Sequence, residues 1–209
     1  MSRPRKFDEQ AVVTRAMLAF LEQGYEATSL SALEEATGVD RKGLYNTFGD
    51  KEGLFIAAVE RWIDTGSERH IHLAETDGAA FAEIVAVFDF IVGYSQTDMG
   101  RYGCLVCNSV REPISQSPRV GPVLQAYLTR VQSAFQHALG NEMRGTGVSM
   151  QVINQQAHVL VGTFVGAFVL ARTPLETRVM VDFVEVTLDQ LRMRLETLRN
   201  AGRLSSIEL

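Results

Sequence analysis

Cysteine is scarce: Cys104 and Cys107 are the two in 209 residues. Two thiols this close do not build the disulfide framework of a small secreted domain. Long apolar runs are also missing. The longest uncharged apolar stretch, 159–171, has 13 residues between His158 and Arg172, short of the roughly 20 that a helical membrane span needs. The N-terminus, MSRPRKFDEQ, has no apolar core of the kind a secretory signal requires. These absences predict a cytoplasmic chain with no membrane partner. An excess of positive charge is absent as well: the net charge is −5, which excludes a histone-like coat of basic residues. A local basic patch remains possible under that balance. All three lysines, Lys6, Lys42 and Lys51, fall in the first 54 residues. No stretch sustains a period of two between turn residues, so no sheet is predicted. No internal repeat stands out.

What is present is helical periodicity nearly throughout, and the predicted fold class is all-α. Asp8 is placed to cap a helix to about Gln23, with Val12, Ala16, Ala19 and Phe20 on one face. Thr28 or Ser29 caps a short helix carrying Leu30, Leu33 and Ala36, and Gly38 forces a turn. Asp40 caps a second short helix, and Asp50 caps a longer one with Leu54, Phe55, Ala58, Val59 and Trp62. Further helices are predicted near 78–95, 103–112, 119–139, 150–172 and 175–199. Gly140 to Gly147, with three glycines in eight positions, reads as a mobile loop, and the last ten residues as a frayed end.

Three short helices with a glycine turn between the second and third form a helix-turn-helix pattern. The residues that fill it are specific: Gly24-Tyr25, Thr28-Ser29, Ala36-x-Gly38-Val39, Gly43-x-Tyr45 and Phe48-Gly49-x-Lys51-Glu52. Over about residues 7–62 the chain resembles the TetR family of bacterial transcriptional regulators. The resemblance implies an N-terminal arm and DNA-binding domain over 1–50. It implies a helical ligand-binding and dimerisation domain over 51–209. The expected partners are a double-stranded operator, a small-molecule inducer and a second copy of the chain; no cofactor, metal or catalytic residue is expected.

The segment 40–47 is too short to be stable alone, so Leu33, Val39, Leu44, Phe48 and Phe55 must hold it. Arg41 and Lys42 are then placed to read base edges, with Asn46 as a further candidate. Gly43 is read as letting the backbone approach DNA. By the resemblance, Tyr45 and Lys51 contact phosphates; Thr28 or Ser29 offers a hydroxyl to another. Arg3-Pro4-Arg5-Lys6 reads either as a DNA-binding arm or as a solvated terminus. In the second half, 150–172 and the last helix, with Val179, Phe183, Val186, Leu191 and Leu198, are assigned to dimerisation. Gly162 and Gly166 would permit close helix contact.

Tyr102-Gly103-Cys104-Leu105 resembles, in its Gly-Cys-Leu, a TetR subgroup that includes regulators responding to reactive electrophiles. Here Cys107 extends it to Cys-x-x-Cys. Three readings stay open: two small buried hydrophobes, a redox or electrophile sensor, and a metal site with His158 as a third ligand. A thiol redox enzyme using Cys104 and Cys107 is the alternative function. The expected ligand wall is Phe88, Val92, Cys104, Cys107, Leu124, Tyr127, Leu128, His158 and Phe164.

Overall fold

A computed structural model describes residues 7–205, without the side chains of 66–69 and 202–205. The predicted arm Arg3–Lys6 lies outside the described residues. The described residues contain no strand. The helices are α1 (Glu9–Gln23), α2 (Leu30–Thr37), α3 (Arg41–Phe48), α4 (Lys51–Trp62), α5 (Glu68–Ile71), α6 (Phe81–Ser95), α7 (Leu105–Ser109), α8 (Gly121–Glu142), α9 (Met150–Leu170) and α10 (Thr177–Ser205).

The chain divides into two compact units. One joins the chain up to Ser67 with Cys104–Tyr127; the other joins Glu68–Gly103 with the chain from Leu128 onward. The first unit therefore recruits α7 and the start of α8 to the three N-terminal helices and α4.

In the first unit each predicted cap is made. Asp8 accepts from Gln10 and Ala11 N–H, Ser29 from Ala32, Asp40 from Gly43 and Asp50 from Gly53, at 2.7 to 3.4 Å. Each satisfies amides that a helix start otherwise leaves without partners. Between the two candidates for the α2 cap, Ser29 takes the position. Thr28 is buried and donates its hydroxyl to the Gly24 carbonyl at 2.5 Å. The core joins Val12, Ala16, Phe20 and Leu21 of α1 to Leu33, Leu44, Leu54, Phe55 and Val59. Phe20, Tyr25 and Phe55 form an aromatic cluster, with Phe55 edge-on to Phe20 at 5.0 Å and to Tyr25 at 4.9 Å.

In the second unit, Phe88 stacks on Phe135 at 5.8 Å, and Phe164 packs edge-on to Phe168 at 5.1 Å. The buried His70 ring stacks on Phe90 at 4.8 Å. α8 runs through Gly140 to Glu142, where a loop is predicted. Asn141 there donates to the Ala79 carbonyl, and the Glu142 carboxylate accepts from Phe81 N–H and Arg199. These tertiary contacts outweigh the weak helix propensity of glycine. α10 likewise continues to Ser205, past the predicted fraying point.

By length and composition α9 could cross a membrane, with a mean hydropathy of 1.3. Its first turns carry Gln151, Asn154, Gln155, Gln156 and His158. Ile153, Ala157, Leu160, Phe164 and Phe168 are buried within the unit, which is the role of a core helix. The opposite side is open, with Val159 exposed.

Arg130 of α8 grips Glu75 through two hydrogen bonds of 2.6 and 2.8 Å. The hydrogen bond from Arg130, aided by its charge, holds the Glu75 carboxyl below the usual carboxylate range. Such a depressed group stabilises the fold above its unfolded pKa, and the contribution drains away as pH falls through the folded value. Glu75→Gln should therefore cost about 1 kcal/mol at neutral pH for a part-buried bidentate pair. The melting-temperature gap between wild type and variant should close in acid below the carboxylate range. A gap that persists there would assign the effect to packing instead.

Candidate nucleic-acid interface

The outer side of α3 is polar and open. Arg41, Lys42 and Asn46 are exposed, Tyr45 is half-buried, and Leu44 alone in the helix is buried, facing the core. The helix follows α2 after a short turn in which Gly38 takes a left-handed backbone, φ +72°. Arg15 of α1 donates to the Thr37 carbonyl at 3.0 Å and fixes the end of α2. The Arg41 guanidinium lies over the Tyr45 ring, 5.1 Å from its centroid. That stacking orients a flat, five-donor group while leaving its edge free to pair. Packing through one side and charge on the other is what a recognition helix requires.

Gly43 has a packing reason within its own helix. A Cβ at this position would lie 2.7 Å from Val39 Cγ1 and 3.0 Å from Asp40 Oδ1. Glycine there lets the first turn of α3 close on its own cap. Thr28 is a correction: a buried hydroxyl already bonded to Gly24 is not on the surface. Ser29 is exposed at the start of α2.

Lys51 also differs from the simple picture. Its ammonium donates to the Tyr25 carbonyl at 2.6 Å and sits 4.2 Å from the Tyr25 ring centroid. Burial pulls the Lys51 ammonium below its usual pKa. Burial and the carboxylates of Glu52, Glu26 and Asp50 push the Tyr25 phenol up to about 12. Lys51 thus ties the start of α4 to the turn between α1 and α2.

Cys104 and Cys107 are both buried and free. Cys104 is the cap residue of α7. Burial opposes its thiolate, yet hydrogen bonding from the Cys107 side chain and amide outweighs this and lowers the pKa of the thiol. The hydrogen bond to Cys104, together with burial, pushes Cys107 well above its usual range.

The expected ligand wall divides between the units: Cys104, Cys107, Leu124 and Tyr127 belong to the first, and Phe88, Val92, Leu128, His158 and Phe164 to the second. His158 is a correction. It is exposed, and its ring pairs with the Gln132 side chain at 3.3 Å. An imidazole on the outer side of α9 neither lines an interior wall nor completes a buried thiol pair. The described residues contain no cluster of three metal-ligating side chains.

On the face assigned to dimerisation the structure separates what the sequence merged. Met180, Val184, Leu188, Leu191 and Leu195 of α10 are buried within the unit, while Val179, Phe183, Val186 and Met193 are exposed. Leu191 is thus core, and Leu198 is half-buried. A Cβ on Gly166 would meet the Phe183 ring at 3.2 Å, so that glycine seats Phe183 against α9.

Sequence reasoning missed Glu112 and Arg119. The Glu112 carboxylate accepts the Tyr25 and Glu26 amides, and Arg119 binds Asp50 at 2.6 Å. These contacts join residues far apart in the chain, and no local pattern announces them.

Comparison with known proteins agrees with this geometry. The family model of bacterial regulatory proteins, tetR family, matches residues 12–58. The HTH-type transcriptional regulator YezE of Bacillus subtilis is 30% identical over 139 residues, covering 66% of this chain and 72% of the relative. The HTH-type transcriptional repressor AcnR of Corynebacterium glutamicum is 29% identical, covering 86% of this chain and 91% of the relative. Among solved structures, a cysteine mutant of the TetR family regulator CifR, complexed with a 26-bp double-stranded operator DNA, aligns with a TM-score of 0.79 at 25% identity. That alignment covers 90% of this chain and 98% of CifR. With its capped three-helix motif, all-helical remainder and these relatives, the chain belongs to the TetR family of helix-turn-helix transcriptional regulators.

Proposed function

We propose that this protein is a homodimeric repressor that holds a near-palindromic operator and releases it on binding an inducer. The observation that carries the reading is the open, polar side of α3, where Arg41, Lys42 and Asn46 stand together on a helix fixed by Asp40 and Leu44. Arg41 and Lys42 read base edges, most simply guanine. Tyr45, Ser29 and Lys51 serve the phosphates; Lys51 keeps donors beyond the one that meets Tyr25. Two copies present two such helices to half-sites about 34 Å apart. The site of work is the cytoplasm, where the operator is. The functional division falls near residue 50, and the chain beyond it, apart from the residues that support the DNA-binding helices, serves the inducer and the second copy.

The inducer is a small molecule or a thiol-reactive compound. A thiol-reactive inducer would react at Cys104. A thiol redox enzyme finds no support among the relatives, which are regulators. The thioredoxin-type motif also expects a βαβ setting, and the described residues have no strand.

The test is selection from a random duplex library with reduced protein at moderate salt. An enriched inverted repeat is expected; no enrichment with or without cell extract would sink the reading. On the selected operator, Arg41→Ala should lose about 1–3 kcal/mol and relax sequence choice at one position per half-site. Equal loss on operator and random DNA would make Arg41 a phosphate contact instead.

A further inference from the structure

The stretch Glu112–Arg119 lies between α7 and α8 and contains the 3₁₀ turn Pro113–Gln116. At its first residue, the two carboxylate oxygens of Glu112 accept successive backbone amides, Tyr25 N–H at 3.2 Å and Glu26 N–H at 2.9 Å. At its far end, Arg119 donates to Asp50 at 2.6 Å, and the Ser117 hydroxyl donates to Glu52 at 3.1 Å. Tyr25 and Glu26 lie just before α2, and Asp50 caps α4 directly after α3. One stretch of chain therefore holds both ends of the α2–α3 pair.

The contact at Glu112 is fitted. Gly24 takes φ +85°, and a Cβ there would lie 3.0 Å from the Glu112 oxygen. Only glycine both adopts that backbone readily and leaves the carboxylate room. Lys51 meets the Tyr25 carbonyl from α4, so Tyr25 is gripped at both its amide and its carbonyl. A carboxylate on two amides is a charge-assisted contact, stronger than a neutral one.

We propose that Glu112 is a positioning residue for operator recognition: by holding the 25–26 turn it sets the placement of α2 and α3 against the operator. The proposal rests on the reading of α3 as the recognition helix. It carries a distinctive sign. Glu112 is an anion on a unit that meets phosphates, so its removal should leave unchanged or improve non-specific attraction to DNA. A residue that only contributes repulsion would then raise operator affinity when neutralised; a positioning residue lowers it.

The experiment compares wild type and Glu112→Gln on the selected operator and on a scrambled duplex at one salt concentration. Operator Kd should rise about tenfold, the scale of one charged hydrogen bond, while Kd on the scrambled duplex stays level or falls. Hydrogen exchange followed by mass spectrometry should show faster exchange at the 25–26 amides. Glu112→Asp, shorter by one methylene, should reach a single amide and lose less. Wild-type operator affinity in the Gln variant overturns the proposal. So does equal loss on both duplexes, which would make Glu112 a general folding residue. Should wild type select no operator, the recognition reading fails by itself, and unchanged exchange at 25–26 would overturn the positioning role separately.

Discussion

Replacing Phe183 by glutamate should convert the protein into a monomer that no longer holds a two-half-site operator. Val179, Phe183, Val186 and Met193 recur at helical spacing on α10 and are 39–59% exposed, while Met180, Val184, Leu188, Leu191 and Leu195 face inward and are nearly fully buried. A helix with an apolar core side and a second apolar side is built to be covered twice, and in the proposed dimer the second cover is another copy. A carboxylate at the centre of that cover would be buried without a partner, which costs several kcal/mol. Dimer dissociation should rise by more than about a hundredfold. Operator affinity should fall by about two to four orders of magnitude, because the second half-site no longer binds intramolecularly. Phe183 also rests against Gly166, so Val186→Glu, at a more exposed position, provides a variant less coupled to the core. Sedimentation at micromolar concentration and operator titration read the two effects. A dimer that survives both substitutions would move the interface elsewhere.

The parts legible in the sequence are those governed by local chemistry. Asp8, Ser29, Asp40 and Asp50 cap helices because a short acceptor side chain reaches amides two or three residues on, whatever the rest of the chain does. The inward side of α1 and the placement of Leu33, Leu44 and Phe55 follow from helical spacing alone. The failures share another cause. His158 and Leu191 are read from the apolar company they keep in sequence. Rotation of a helix about its axis depends on its neighbours, and it put one outward and the other inward. Thr28 carries a suitable group, yet it is buried and donates to the Gly24 carbonyl one turn back. α8 outlasts its glycine because Asn141 and Glu142 find partners near residue 80. Glu112 was invisible for the same reason: its hydrogen bonds span more than eighty residues.

The second large effect is expected at Phe55. Its ring has no exposed surface and stands edge-on to both Phe20 and Tyr25. Tyr25 belongs to the turn that Glu112 and Lys51 grip, so Phe55 supports that turn from beneath. Phe55→Ala removes the ring contacts and leaves a cavity, a change that typically costs about 3–5 kcal/mol. Against a whole-domain stability of roughly 5–15 kcal/mol, that is enough to release α2 and α3, which are too short to persist without packing. Trp62, the single tryptophan, lies buried in α4, so its fluorescence reports on the same unit during urea denaturation at fixed protein concentration. Phe55→Leu, which keeps most of the volume, should cost about 1 kcal/mol. A loss below about 1 kcal/mol in the alanine variant would mean that the cluster collapses around the gap and that α3 is held by other contacts. If the loss is as large as expected, saturating operator should restore part of it, about 2.7 kcal/mol at a hundred times Kd. That recovery would tie the stability of the aromatic cluster directly to the recognition of DNA, since only the arranged α2–α3 pair binds.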